Sequence, residues 1–141
     1  MYRVVLDTTV LVAGLRSRHG ASNMLLRRVA RQQLVPLCTT TLFLEYEAVL
    51  CRAEHRIVHG LDEAALQQFL AAFASAAEAV EVHFLWRPQL QDAADEMVLE
   101  AAVNGRADGI VTHNQRHFSA AAARFGLRVL PPAAMLKESM S

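Results

Sequence analysis

Short apolar runs alternate along the chain with longer stretches in which apolar residues recur at helical spacing. Residues 4–6 (VVL) are rich in β-branched side chains and predict a short strand that opens directly onto Asp7. Residues 21–32 place Met24, Leu25 and Val29 at helical spacing with arginines on the other faces, which predicts an amphipathic helix. A second strand is predicted over 34–38, after which Thr39, Thr40 and Thr41 offer N-caps for a helix running to about Arg52. Asp62 is placed to cap an alanine-rich helix reaching about Ala79, and 80–83 predict a further strand. A loop over 84–91 contains Pro88. Asp92 then begins a helix expected to stop with Gly105 at the C′ position, just past its last turn. Residues 109–112 predict a buried strand and 127–130 a short closing one, with a last helix after Pro131 and Pro132.

This alternation of strands and helices implies an α/β domain with a mostly parallel sheet and helices on both faces. In such sheets ligands gather at the carboxyl ends of the strands, where Asp7 and the segment Thr112-His113-Asn114 are expected. The 141 residues carry no internal repeat or linker and read as one domain, 1–141, long enough to bury a sizeable core. No apolar stretch approaches the roughly 20 residues of a membrane helix, and MYRVVLD lacks the apolar core of a secretory signal. Cys38 and Cys51 are isolated and read as small buried hydrophobes in a reducing compartment, so a cytoplasmic, membrane-free protein is expected. A net charge of zero argues against a general polyanion binder. Thirteen arginines against one lysine suit bidentate phosphate contacts, although a genome biased toward arginine codons is the better explanation of the ratio.

The chemistry sits in the acids. Asp7 interrupts the apolar run VVLDTTVLVAG, where an unpaired carboxylate is costly. Asp92, Asp95 and Glu96 open a late helix, and Glu45 borders the face made by Leu42, Tyr46 and Val49 in LFLEYEAVL. Brought together at one sheet edge, such carboxylates repel unless divalent cations compensate them, and an all-oxygen set favours Mg²⁺ or Mn²⁺ over zinc. Ordinary structural roles compete with this reading: Asp92 and Asp95 also fit an N-cap with its capping-box partner, and Glu45 a half-exposed helix position.

VVLDTTVLVAGLRSRHGAS resembles the opening of PIN-domain proteins, whose usual form is LDTNVLV. The resemblance continues in order through LFLEYEAVL, through FLWRPQLQDAADEMVLEAAVNGRADGIVTHNQRHF and into RFGLRVLPPAAML, and is strongest for the branch of VapC-type toxins of toxin–antitoxin systems. It implies a three-layer α/β/α sandwich and Mg²⁺- or Mn²⁺-dependent endoribonuclease action on single-stranded RNA or tRNA. It also implies a homodimer and a small antitoxin whose tail fills the acidic groove. Carried over by position, the first acid falls on Asp7 and the second on Glu45. The third region falls on QDAADE, with Asp92, Asp95 and Glu96, and the last site on Thr112 and Asn114. Thr9 stands where the family has an asparagine that orients the acids, and Asn114 where many members have an aspartate.

The expected chemistry is metal-assisted hydrolysis without a covalent intermediate. Asp7, Glu45, Asp95 and Glu96 would hold the metal, Asn114 would join the catalytic set, and Thr8, Thr112, Asp92 and Arg16 would position water or substrate. With fewer charged ligands than usual, one tightly held ion and a weaker second one arriving with RNA are expected. Two rivals remain. A phosphatase of the haloacid-dehalogenase type needs a second aspartate two residues after the first, a position Thr9 occupies. A catalytically impaired PIN domain serving as an RNA- or protein-binding module is the other.

Overall fold

In a computed structural model, residues 1–83 and 90–140 are described. The chain starts with β1 (Arg3–Leu6), α1 (Thr8–Arg16), α2 (Ala21–Ala30), β2 (Val35–Cys38) and α3 (Thr40–Leu50). It continues with α4 (Ala53–His59), α5 (Glu63–Ala76), β3 (Glu78–Ala79) and α6 (Ala93–Gly105). It closes with β4 (Gly109–Val111), α7 (Gln115–Arg124), β5 (Arg128–Leu130) and α8 (Pro132–Ser139). The strands form a five-stranded sheet in the order β3-β2-β1-β4-β5, every pair parallel. The α/β architecture expected from the alternation is therefore present, with all described pairings parallel rather than most of them.

The strand order decides where a ligand can sit. From β1 the chain builds outward through β2 and β3 on one side, then returns to add β4 and β5 on the other. The reversal leaves a crevice beyond the carboxyl ends of β1 and β4, the usual ligand position in open parallel sheets. Asp7 directly follows β1, its N–H bonded to the Val111 carbonyl at 2.9 Å, and Thr112 directly follows β4. Val4, Val5, Leu6, Ile110 and Val111 are fully or almost fully buried, as central parallel strands covered on both faces require.

Three helices have no counterpart in the sequence-based assignment. In α1, TTVLVAGLR is β-branched and apolar, so it reads as more strand, yet Asp7 at its N-cap turns the chain and Val10, Leu11 and Gly14 form a buried helical face. In α7, Phe118, Ala121 and Ala122 are buried at helical spacing within a polar, alanine-rich stretch. In α4 no residue is buried, so no apolar stripe announces it. The strand expected over 80–83 is also displaced: α5 stops at Ala76 and the pairing falls on Glu78 and Ala79, opposite Leu37 and Cys38. The alanine run carries no local stop signal. Its end is set instead by β2 and by Arg3, whose guanidinium grips the Glu78 carboxylate and the Gly105 carbonyl. The loop expected over 84–91 lies outside the described residues except at its end.

Gly105 corrects another expectation. It is the last residue of α6, and Arg106 takes the left-handed conformation at φ 52°, ψ 51°. The glycine is needed for space, because a Cβ there would lie 2.9 Å from Val80 Cγ2 and 3.0 Å from Leu37 Cδ1. Left-handed backbone costs a non-glycine residue about 1–2 kcal/mol. Arg106→Gly should therefore stabilise the fold by about 1 kcal/mol, read as a rise in Tm of roughly 2–4 °C. An unchanged or lower Tm would contradict that account.

Candidate active site

Asp7 occupies the N-cap position of α1, but its side chain accepts no N–H from that helix. Its Oδ2 instead receives two hydroxyl protons, from Thr112 at 2.6 Å and from Thr9 at 2.9 Å. The carboxylate is held by the residue after β4 and by the first turn of α1, both at Oδ2. Thr112 is fully buried, and its Oγ1 also accepts the Asn114 N–H at 2.9 Å. One hydroxyl thus fixes both an acid and the backbone of its neighbour. Thr9, which departs from the usual asparagine, still supplies a hydrogen-bond donor to the same carboxylate.

Glu45 is set by its neighbour. Tyr46 is fully buried and its phenol donates to the Leu6 carbonyl, tying α3 to the residue before Asp7. Burial, followed by the Cys38 and Asp7 charges, holds this phenol far above its ordinary pKa, so it remains a donor. At the far wall Asp92 is the N-cap of α6, with Oδ1 accepting the Ala94 N–H at 2.8 Å and the Asp95 N–H at 3.4 Å. Asp95 does not complete a capping box; its Oδ2 lies 3.1 Å from His117 Nδ1, which donates because a carboxylate can only accept.

These groups line one cavity of about 850 Å³. Asp7, Glu45, Asp92 and Asp95 share it with Thr8, Asn114 and Arg16, all singled out in the sequence, and with Thr9. Arg52, His55, His113 and His117 complete its polar lining, over Val12, Val49 and Met97. Two expected residues are elsewhere. Glu96 is buried, accepts the Leu90 N–H, and does not line the cavity; one position along the helix from Asp95 turns its side chain by about 100°. Thr112 does not line it either, so its hydroxyl positions Asp7 rather than a water or phosphate in the cavity. Arg52 and His55 belong to α4, the helix without a buried face, and no apolar signal marked them.

The family to which this arrangement belongs follows from its order along the chain. The PIN domain family matches residues 3–116, from β1 to the start of α7. The chain belongs to the PIN-domain family. No curated protein and no solved structure matches it. PIN domains are generally nucleases that use divalent metals, and the matched span contains every carboxylate of the cavity.

Whether this PIN domain can take such a metal is a question of charge and geometry. Among the described residues no three histidine, cysteine, aspartate or glutamate side chains converge as a ready-made metal cage. Mg²⁺ does not need one, because it keeps several waters and is commonly held by one or two carboxylates. The electrostatics fit such an ion. Burial raises the Asp95 pKa, and the Asp7 and Asp92 charges raise it further, against the lowering effect of His117. The cavity therefore carries more negative charge than it balances internally.

That imbalance has a consequence for stability. A raised folded-state pKa means that the Asp95 carboxylate costs stability above that pKa, and that the cost is relieved as pH falls through it. Asp95→Asn should raise Tm by a few degrees at neutral pH without added metal, and the gain should vanish in acid, where wild-type Asp95 is also neutral. A gain that persists undiminished at low pH would rule out this charge account.

Proposed function

We propose that this PIN domain is a metal-dependent endoribonuclease that hydrolyses phosphodiester bonds of single-stranded RNA or tRNA, acting as the toxin of a toxin–antitoxin pair. The observation that carries the reading is the Asp7 carboxylate, 5 % exposed and pinned through one oxygen by two hydroxyls, facing a cavity lined by three further acids. A purely structural acid would spend both oxygens on its surroundings.

Asp7 and Asp95 are the residues to hold Mg²⁺ or Mn²⁺, with Glu45 opposite them. Glu96 would act from behind the wall as a support for the segment at Leu90. When bound, the ion would supply an activated water and charge stabilisation at the phosphorus. Thr112 and Thr9 keep Asp7 from rotating. Asn114 offers an uncharged amide at the cavity edge, and its backbone is fixed by Thr112. Asp92 orders the first turn of α6 and so aims Asp95. His117 holds the Asp95 carboxylate by its other face. A homodimer, control by a cognate antitoxin and a cytoplasmic setting belong to the same proposal.

Asp7→Asn should abolish Mg²⁺- or Mn²⁺-dependent cleavage of a fluorogenic single-stranded RNA, while circular dichroism and Tm remain those of a folded domain. Equal activity in the purified variant would refute the site, and no metal-dependent cleavage by the parent would favour the binding-module alternative. Thr112→Val keeps the shape and removes the donor to Asp7. Supports of this kind are worth about 10–100-fold in activity or metal affinity, so kcat should drop by about that factor. Isothermal calorimetry without RNA should show one tight Mn²⁺ site, two being incompatible with the thinned acidic set.

A further inference from the structure

The cavity has a cationic wall facing its acids. Arg16 ends α1, Arg52 is the N-cap residue of α4 and His55 lies in the first turn of α4; all three line the cavity that contains Asp7 and Asp95. Arg16 and His55 also line the adjoining cleft with Val12, so the group is contiguous. Three arginines of the fold pair with carboxylates: Arg3 with Glu78, Arg56 with Glu63 and Arg128 with Glu138. Among the described residues Arg16 and Arg52 have no such partner, and Glu45, which shares their cavity, pairs with neither. His55 has only the exposed Glu54 at 3.9 Å. Helix α4 packs on α1 and α3, with His59 Nε2 3.1 Å from the Leu50 carbonyl, and keeps Arg52 exposed beside the cavity.

We infer that Arg16, Arg52 and His55 bind the phosphodiester backbone of the RNA strand away from the cut, which makes them a substrate-length sensor for the proposed nuclease. The inference rests on that nuclease reading. From Asp7 to Arg16 the chain rises along one helix, about 13 Å at 1.5 Å per residue. With that separation, the phosphate assigned to this wall is a neighbour of the one presented to Asp7. Guanidinium forks suit phosphate oxygens. Contacts remote from the reacting phosphorus are made equally before and during the reaction, so they act on KM rather than kcat.

The test separates binding from cleavage. In an Asp7→Asn background, fluorescence anisotropy of a labelled single-stranded RNA of about eight nucleotides, titrated across salt, gives the number of phosphate contacts. Arg52→Ala should weaken binding about tenfold and lower the slope of log K against log salt by about 0.7, the value for one contact on a single strand. Arg52→Lys should restore the slope, because it restores the charge. In the cleaving protein, Arg52→Ala should raise KM on the oligonucleotide at constant kcat and shrink its advantage over a dinucleotide. An unchanged slope with Arg52→Ala and with His55→Ala, in a parent that binds RNA, overturns this inference alone; so does an equal loss on the dinucleotide. A parent that neither binds nor cleaves RNA overturns the nuclease reading and this one with it.

Discussion

Two hydroxyl protons directed at one oxygen of Asp7 organise this protein's cavity. The Thr112 hydroxyl comes from the end of β4 and the Thr9 hydroxyl from the first turn of α1, so the acid is fixed only when strand pairing and helix are both in place. Both donors meet the same oxygen, and the carboxylate they hold lines the cavity. The same Thr112 oxygen accepts the Asn114 N–H, which extends the organisation into the start of α7.

Around that centre, the other functional groups are aimed by parts of the fold that serve two purposes. Tyr46 fills core space and, through the Leu6 carbonyl, sets α3 and therefore Glu45 relative to β1. Asp92 caps α6 and fixes the turn that carries Asp95. The opposite end of the sheet has a purely structural anchor in Arg3, which gathers Glu78, Asp108 and the carbonyls of Gly105 and Arg106. Arg3 at that end pairs with Glu78, whereas Arg16 and Arg52 beside the cavity have no carboxylate partner among the described residues. The two cysteines take no part: both are free, and burial pushes the Cys38 thiol up to about 12, far from a nucleophile's range.

How much of this was legible in the sequence depended on whether a local pattern or a distant contact was responsible. The strands at 4–6, 34–38 and 109–112, the N-caps Thr39 and Asp62 and the cap at Asp92 follow from composition and spacing, and they stand in the structure. Helix α1 did not follow, since a β-branched apolar run signals a strand until a turn at Asp7 reverses it. The end of α5 did not follow either, because Arg3 and β2 determine it from about seventy and forty residues away respectively. Asp7, Glu45, Asp92, Asp95 and Asn114, singled out by residue type and family resemblance, share the cavity. Glu96 and Asp95 could not be told apart, because adjacent acids in a helix differ only in the direction each faces.

By itself, then, the sequence determined an α/β order of elements, a parallel sheet, an acid at the end of its first strand and further acids on two helices. These depend on periodicity, capping and turn chemistry, which act over a few residues. The tertiary structure decided which acids share a cavity, that Thr9 and Thr112 both donate to Asp7, and that Arg52 and His55 line the same cavity. Those outcomes depend on side-chain directions and on contacts between segments up to 105 residues apart, such as Thr112 with Asp7. No local pattern encodes such contacts, because each partner is satisfied only when the other has been brought to it.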